Sequence, residues 1–270
     1  MKALPAIVIG DGWQRPITIA TERPFIVPRP RPTVTIALGT GIYPRSDAAR
    51  LLGITPARLR RWVSGYTYTR RASTETARTR RRLLPLVYPE LPSIDGNIAL
   101  SFFELMELRV VKALVDRDIS LRHIRRAAEI ATERFDTRHP FASQRVFTDG
   151  RDIFSSVTED VHAPNVVKWR TAEIDQVVAG PIFDQFLSEI EFDAATSLAL
   201  RWWPKGREVP IVLDPAIRFG APIIVGTGVR TSTIARLARA GSVRDAAIAY
   251  EIDVAQAAAA VAFEQTLVAA

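Results

Sequence analysis

Three arginines within four residues, Arg58, Arg60 and Arg61, lie in a segment that reads as a short helix. A guanidinium is a planar fork of donors. It suits phosphate oxygens and the O6/N7 edge of guanine. At about 100° per residue, Leu59, Trp62 and Val63 share one face, Arg61 points nearly opposite, and Arg58 and Arg60 take the flanks. A helix lying in a DNA major groove requires this apolar back with donors in front. The surroundings are equally basic. Residues 43–84 carry eleven arginines against Asp47 and Glu75, a charge near +9, whereas the whole chain is +7. Arginine is favoured throughout, so a solvated basic loop would also fit, but clustering against so few acids favours a phosphate backbone. The candidate DNA contacts are Arg45, Arg58, Arg60, Arg61, Arg70, Arg71, Arg78, Arg80, Arg81 and Arg82.

The elements that must position these arginines have local signals of their own. Ser46 is the expected N-cap of a first helix, Asp47 suits its positive end, and Gly53 is the expected stop. Thr55 and Pro56 then open the arginine helix, proline at the first helical position losing no hydrogen bond. Gly65 ends it, and the basic stretch after it reads as a wing. Ser101 and Glu104 form a capping box for a helix carrying Phe102, Leu105, Leu108, Val111 and Val115. A further helix from Ser120 has Ile124, Ala127, Ala128, Ala131 and Phe135 on its apolar side and Arg122, Arg125 and Arg126 on a basic side. Residues 43–138 are therefore expected to form a winged helix–turn–helix domain.

The flanking regions differ. Residues 1–42 are proline-rich, and PRPRP forbids helix and central strand, so an extended arm is expected. Residues 139–208 form a mixed β/α connecting region, with a β-hairpin over 145–154 turning at Asp149–Gly150, a helix over 166–178 and strands over 186–192 and 198–203. One of the adjacent Trp202 and Trp203 is expected in the core and the other at the surface. Residues 209–270 read as two short strands and a three-helix unit, with N-caps at Thr231, Ser242 and Asp253. The last helix is alanine-rich without Lys or Arg, which favours protein contact over DNA. The fold class is α+β and mainly helical.

Several chemistries are excluded or unsupported. There is no cysteine, hence no disulfide, thiolate metal site or cysteine nucleophile. No run of about eighteen apolar residues exists for a transmembrane helix, and no secretory signal is visible, so a cytoplasmic protein without a membrane partner is expected. His123, His139 and His162 lack metal-ligand spacing. Gly226-Thr-Gly228 lacks the phosphate-loop pattern and reads as a turn. The acids Asp184, Glu189, Glu191 and Asp193 read as a solvated edge rather than a Mg²⁺ site. No enzyme, cofactor or metal is expected.

Two segments resemble known families. Residues 43–135 resemble the MerR-like winged helix–turn–helix through SDAARLLGIT, ARLRRWVSGY, the basic wing and FFELMELRVVKALVDRDISLRHIRRAAEIA. Residues 209–265 resemble a bacterial domain family of unknown function through Ile211, Asp214–Pro215, Phe219–Gly220, Pro222, Gly226–Thr227, Val229 and Thr231. Gly228 stands where that pattern usually has arginine, with Arg230 close by. Together the two look like a VapB-type antitoxin of a type II toxin–antitoxin system. The resemblance implies operator DNA, a VapC-like PIN-domain ribonuclease toxin as partner, and autoregulation of the operon. A homodimer or higher even-numbered assembly is expected separately, because a single helix–turn–helix covers a small site and two-fold pairs read paired half-sites. For the toxin the candidate contacts are Arg201, Trp203, Arg207, Arg218 and Arg230. The alternatives are an effector-responsive MerR-like regulator and an interaction module without operator specificity.

Overall fold

The computed structural model describes residues 20–21, 39–71, 78–93, 96–149 and 180–268. Helix α1 (Arg45–Leu52) begins directly after Pro44, which takes the N-cap position, so Ser46 lies inside the first turn and is not the cap. Gly53 ends α1 in the left-handed region, with φ 62°. Thr55 caps α2 (Pro56–Ser64): its side chain accepts from the Arg58 backbone N–H at 3.2 Å. Gly65 then turns the chain sharply. A Cβ there would lie 2.3 Å from the Leu83 carbonyl oxygen, so only glycine allows this approach.

That turn launches the antiparallel strands β3 (Tyr66–Arg71) and β4 (Arg78–Leu83), in register from Tyr66 opposite Leu83 to Arg71 opposite Arg78. Two residues of the N-terminal arm, β1 (Ala20–Thr21), pair in parallel with β4 on its other edge. The arm's other residues up to 38 lie outside the described ones, and residues 39–42 lead into the next strand. β2 (Tyr43–Pro44) pairs with β5 (Ala99–Leu100) and sets the base from which α1 and α3 (Phe102–Val115) depart. The Ser101–Glu104 capping box is present in both directions. Helix α3 is buried on most of its circumference, as a helix at the centre of a core must be. α4 (Leu121–Phe135) is capped by Ser120 and buries Ile124, Ala127, Ala128 and Ala131. Arg125 corrects the expected basic side: it is buried, and its Nη2 donates to the Leu84 carbonyl at 2.9 Å.

The connecting region departs furthest from expectation. Residues 145–148 belong to a short helix, α5 (Gln144–Thr148), and not to a hairpin strand. Val146 and Phe147 are both buried while Arg145 and Thr148 are exposed, a pattern that one helical turn satisfies and alternation cannot. The expected second strand and the helix over 166–178 lie outside the described residues. Residues 186–189 end a helix, α6 (Gly180–Glu189). Only β6 (Ile190–Phe192) is strand, and it pairs with β7 (Ala199–Trp202).

Among the described residues two buried apolar clusters result. The larger joins Leu59 and Trp62 of α2, Leu105 and Leu108 of α3 and Ile124 of α4 to Phe147, Phe183 and Trp202 of the connecting region. The smaller belongs to the C-terminal unit. There β8 (Ile211–Val212) pairs with β9 (Ile223–Ile224), and α7 (Thr231–Ala240), α8 (Val243–Ala249) and α9 (Val254–Val268) pack around Ile234, Ala246, Ala257 and Phe263. Ser242 caps α8 as expected. Thr231 is not a cap: it is the first residue of α7, and its buried hydroxyl donates to Glu264 at 2.5 Å. Leu51 of α1 packs against both clusters. Among the described residues no single helix is long and apolar enough to cross a membrane.

Candidate nucleic-acid interface

Helix α2 is fixed from behind. Leu59, Trp62 and Val63 are buried, and the Trp62 carbonyl accepts the Leu86 N–H at 2.6 Å, which pins the helix to the connector after β4. The opposite face carries the arginines. Arg60 and Arg61 are exposed; Arg60 has no partner among the described residues, and the Arg61 guanidinium lies 5.6 Å from the Tyr66 ring centroid. Arg58 is drawn back. It sits 4.9 Å over the Trp62 ring and 3.6 Å from the Asp116 carboxylate. Its guanidinium is therefore engaged within the fold. Arg45, the first residue of α1, is partly exposed.

The adjoining hairpin carries the other expected contacts. Arg70 and Arg71 are on β3, and Arg78, Arg80, Arg81 and Arg82 are on β4. Six of the twelve paired positions are thus arginine, and Arg71 stands directly opposite Arg78. The structure brings α2 and this hairpin together through the single residue Gly65.

The five candidate toxin contacts differ in how far their side chains are engaged within the fold. Arg201 is committed internally: its Nε donates to Asp214 at 2.7 Å and its Nη1 to Glu191 at 3.2 Å. The Asp214 bond first, then the Asp214 and Glu191 charges, raise its guanidinium above its usual value against the opposing effect of burial. Trp203 is half-buried beneath the Arg207 guanidinium, 5.4 Å away, and Arg207 also donates to the Ser188 carbonyl. Trp202 is the core member of the pair.

Arg218 and Arg230 are different. Both are exposed and adjacent, with Arg218 Nε donating to the Gly228 carbonyl at 3.2 Å and Arg230 Nη2 to the Arg218 carbonyl at 3.4 Å. Arg218 and Phe219 have φ of 51° and 58°, and Gly220 has 82°. Two consecutive non-glycine residues in the left-handed region store strain that the surroundings must hold. The Ile42 N–H donates to the Phe219 carbonyl at 3.0 Å, and the Tyr43 phenol donates to the Gly220 carbonyl at 2.9 Å. Burial, with the Asp214 charge beside it, pushes the Tyr43 phenol up, so it remains a donor.

Buried ionic groups were missed from sequence. Glu104 bonds the backbone N–H groups of Ser101 and Glu90, and burial raises its carboxyl to about 7 against these bonds and the nearby His139. His139 stands between Glu90 and Glu107, 3.4 Å from each, against the Phe103 ring. Arg109 pairs with Glu189 and lies 4.1 Å over Phe186; burial lowers it to about 10, partly opposed by Glu189. Glu104 had a signal in the capping box. The others depend on partners distant in the chain, which no local pattern reveals. His123 packs in the first turn of α4 with its Nδ1 2.7 Å from the Ser120 hydroxyl. The acids read as an edge are also engaged: Glu189 with Arg109, Glu191 with Arg201, and Asp193 with the Ala195 and Thr196 N–H groups of its own turn.

Known proteins resemble this chain at two levels. Residues 211–263 match a family of proteins of unknown function, DUF433. A protein of Mycobacterium tuberculosis (strain ATCC 25618 / H37Rv), named as a candidate antitoxin, VapB45, is 24% identical over 209 residues, covering 74% of this chain and 84% of its own length. A crystal structure of a Mycobacterium tuberculosis protein shares the fold, with a TM-score of 0.60 at 22% identity over 81% of this chain and 96% of that one. The chain is thus similar to an antitoxin-like family, and its fold has a solved counterpart.

Proposed function

We propose that this chain is the antitoxin of a type II toxin–antitoxin pair and represses its own operon by binding operator DNA. One observation carries the DNA-binding half: α2 has a buried Leu59–Trp62–Val63 back and an exposed Arg60–Arg61 front, and it leads through Gly65 into an arginine-bearing hairpin. In this reading α1 and α2 are a helix–turn–helix and β3–β4 its wing. Arg60 and Arg61 enter the major groove, Arg58 supports them, and the hairpin arginines track phosphates. The similarity to a named antitoxin supports the other half.

The toxin would be a VapC-like PIN-domain ribonuclease, whose acidic Mg²⁺ pocket calls for a cationic plug. Of the five candidates, Arg218 and Arg230 are exposed and adjacent, whereas Arg201 is engaged by its own carboxylates. The working unit would be a dimer or higher even-numbered assembly, because paired half-sites reward two-fold symmetry.

Two measurements on the full-length protein test this reading. Gel shifts with DNA from upstream of the gene should give a complex that weakens steeply between 50 and 200 mM salt, the range over which counterion release costs orders of magnitude in affinity. Pull-down with the product of the adjacent reading frame should recover a nuclease whose RNA cleavage stops on binding. Absence of a DNA complex at low salt defeats the repressor half. A neighbouring nuclease that neither binds nor is inhibited defeats the antitoxin half.

A further inference from the structure

Between α1 and the C-terminal unit lies a cleft of about 340 Å³, within the size range that holds small molecules and in the kind of place, a junction between packed units, where such sites occur. Leu51, Pro222 and Leu267 give it apolar walls. Its charged lining includes Asp47 and Arg50, which face one another at 3.7 Å, and then Arg218, Arg230 and Glu264.

These last three are incompletely satisfied. Arg218 and Arg230 each spend a single N–H on a backbone carbonyl, leaving the rest of each fork free for a carboxylate. Glu264 is 7% exposed. One of its oxygens accepts from Thr231, and the other has no partner among the described residues. The cleft therefore offers cationic donors and an acceptor against an apolar wall.

The rim adds a separate observation. The strained Arg218–Phe219 backbone is fixed by Ile42 and Tyr43, and it leaves Phe219 58% exposed beside the cleft. Held strain of this kind gathers at ligand clamps. A flat apolar molecule would cover the ring and relieve its exposure.

The geometry points to a site for a small aromatic carboxylate bearing a hydrogen-bond donor at its far end. The carboxylate meets Arg218 and Arg230, the frame packs between Phe219 and Leu51, and the donor meets the free oxygen of Glu264. The site lies beyond the reading given above and requires neither DNA nor toxin, so its test stands apart. Because α1 forms one wall, occupancy would tie the C-terminal unit more tightly to the helix–turn–helix pair.

Isothermal titration of the full-length protein with three probes decides the matter: 4-hydroxyphenylacetate, phenylacetate without the donor, and tyramine without the carboxylate. The first should bind with a Kd on the order of millimolar, ordinary for a molecule of this size. Arg218→Ala and Arg230→Ala, both at exposed side chains, should each weaken it by roughly 10-fold, the loss of one charge-assisted contact. Glu264→Gln should weaken 4-hydroxyphenylacetate and leave phenylacetate unchanged. Arg236→Ala, an exposed arginine outside the cleft, should leave all three unchanged. Failure of all three probes to bind overturns the site, and so does binding that is indifferent to both Arg218→Ala and Arg230→Ala.

Discussion

The Tyr43 phenol donates a hydrogen bond of 2.9 Å to the Gly220 carbonyl, 177 residues away in the chain. Tyr43 is 2% exposed and stands where β2 enters α1; Gly220 closes the strained turn of the C-terminal unit. One bond therefore ties the larger buried cluster to the strained turn of the C-terminal unit.

Removing that bond should be measurable. Tyr43→Phe leaves the buried Gly220 carbonyl without its donor and should cost about 1–3 kcal/mol in urea unfolding. Gly220→Ala should cost more. Its Cβ would lie 2.1 Å from the phenol oxygen, and φ of 82° is unsuited to alanine. A Gly220→Ala protein as stable as the parent would contradict this fit.

Phe147 reports on domain organisation. Its ring stacks 5.5 Å from Phe186 and meets Phe183 edge-on at 5.3 Å, inside the cluster that also holds Leu59 and Trp62. Phe147→Ala should cost about 3–5 kcal/mol. The loss should appear as a single cooperative transition, monitored by far-ultraviolet circular dichroism and tryptophan fluorescence together. A separate early transition for the connecting region would show that it packs independently. The same packing means that a chain cut after residue 138 leaves this cluster divided, so the C-terminal half is best tested by substitution within the full-length protein.

Much of this was legible in the sequence where the determinant is local. Thr55 with Pro56, Ser101 with Glu104, and Ser242 each cap the expected helix, because a cap needs only three or four neighbouring residues. The apolar back of α2 follows from helical spacing alone. Legibility failed where tertiary contacts decide. Residues 145–148 look strand-like beside Asp149–Gly150, yet Val146 and Phe147 both find the core and the segment turns helical. Arg125 lies on a side of α4 that solvent would claim, except that the connector places the Leu84 carbonyl there. Arg201 reads as a free cation until Asp214 and Glu191 are brought beside it.

Glu104 should give the protein a pH-dependent stability. Its carboxyl is raised by burial from 4.5 to about 7 in the folded state, so the folded protein holds a proton that the unfolded chain releases. Stability from this group is therefore greatest below about pH 4.5, declines as pH rises toward 7, and levels off above it, with a total effect of at most about 3 kcal/mol. Glu104→Gln should flatten the decline between pH 5 and 8 in urea titrations, at a fixed cost from the imperfect match of an amide to two N–H donors. A wild-type protein whose stability rises over that interval would run against this assignment.

Self-association has a candidate surface on α9. Its only charged residue, Glu264, is buried, and Val254, Ala258, Ala262 and Val268 are exposed along it. Ala258→Glu with Ala262→Lys should leave the monomer folded and lower the mass seen by light scattering at micromolar concentration from an even multiple of the chain to the chain alone. An unchanged mass in this variant moves the contact elsewhere, and a wild-type monomer removes it.

The arginine surface makes the sharpest distinction between reading bases and holding phosphates. Arg61 projects from the front of α2, whereas Arg82 is exposed at the hairpin and set in β4. If Arg61 reads a base, Arg61→Ala should cost about 1–3 kcal/mol on the specific site and much less on unrelated duplex. Arg82→Ala should weaken both by a similar factor and reduce the slope of log K against log salt by about one. Arg58→Ala tests a third behaviour, since its guanidinium is already engaged by Trp62 and Asp116. It should lose less DNA affinity than Arg61→Ala while lowering folding stability. Fluorescence anisotropy with both duplexes at several salt concentrations separates the three. Equal losses for Arg58→Ala and Arg61→Ala on every duplex would mean that α2 supplies charge alone and reads no sequence.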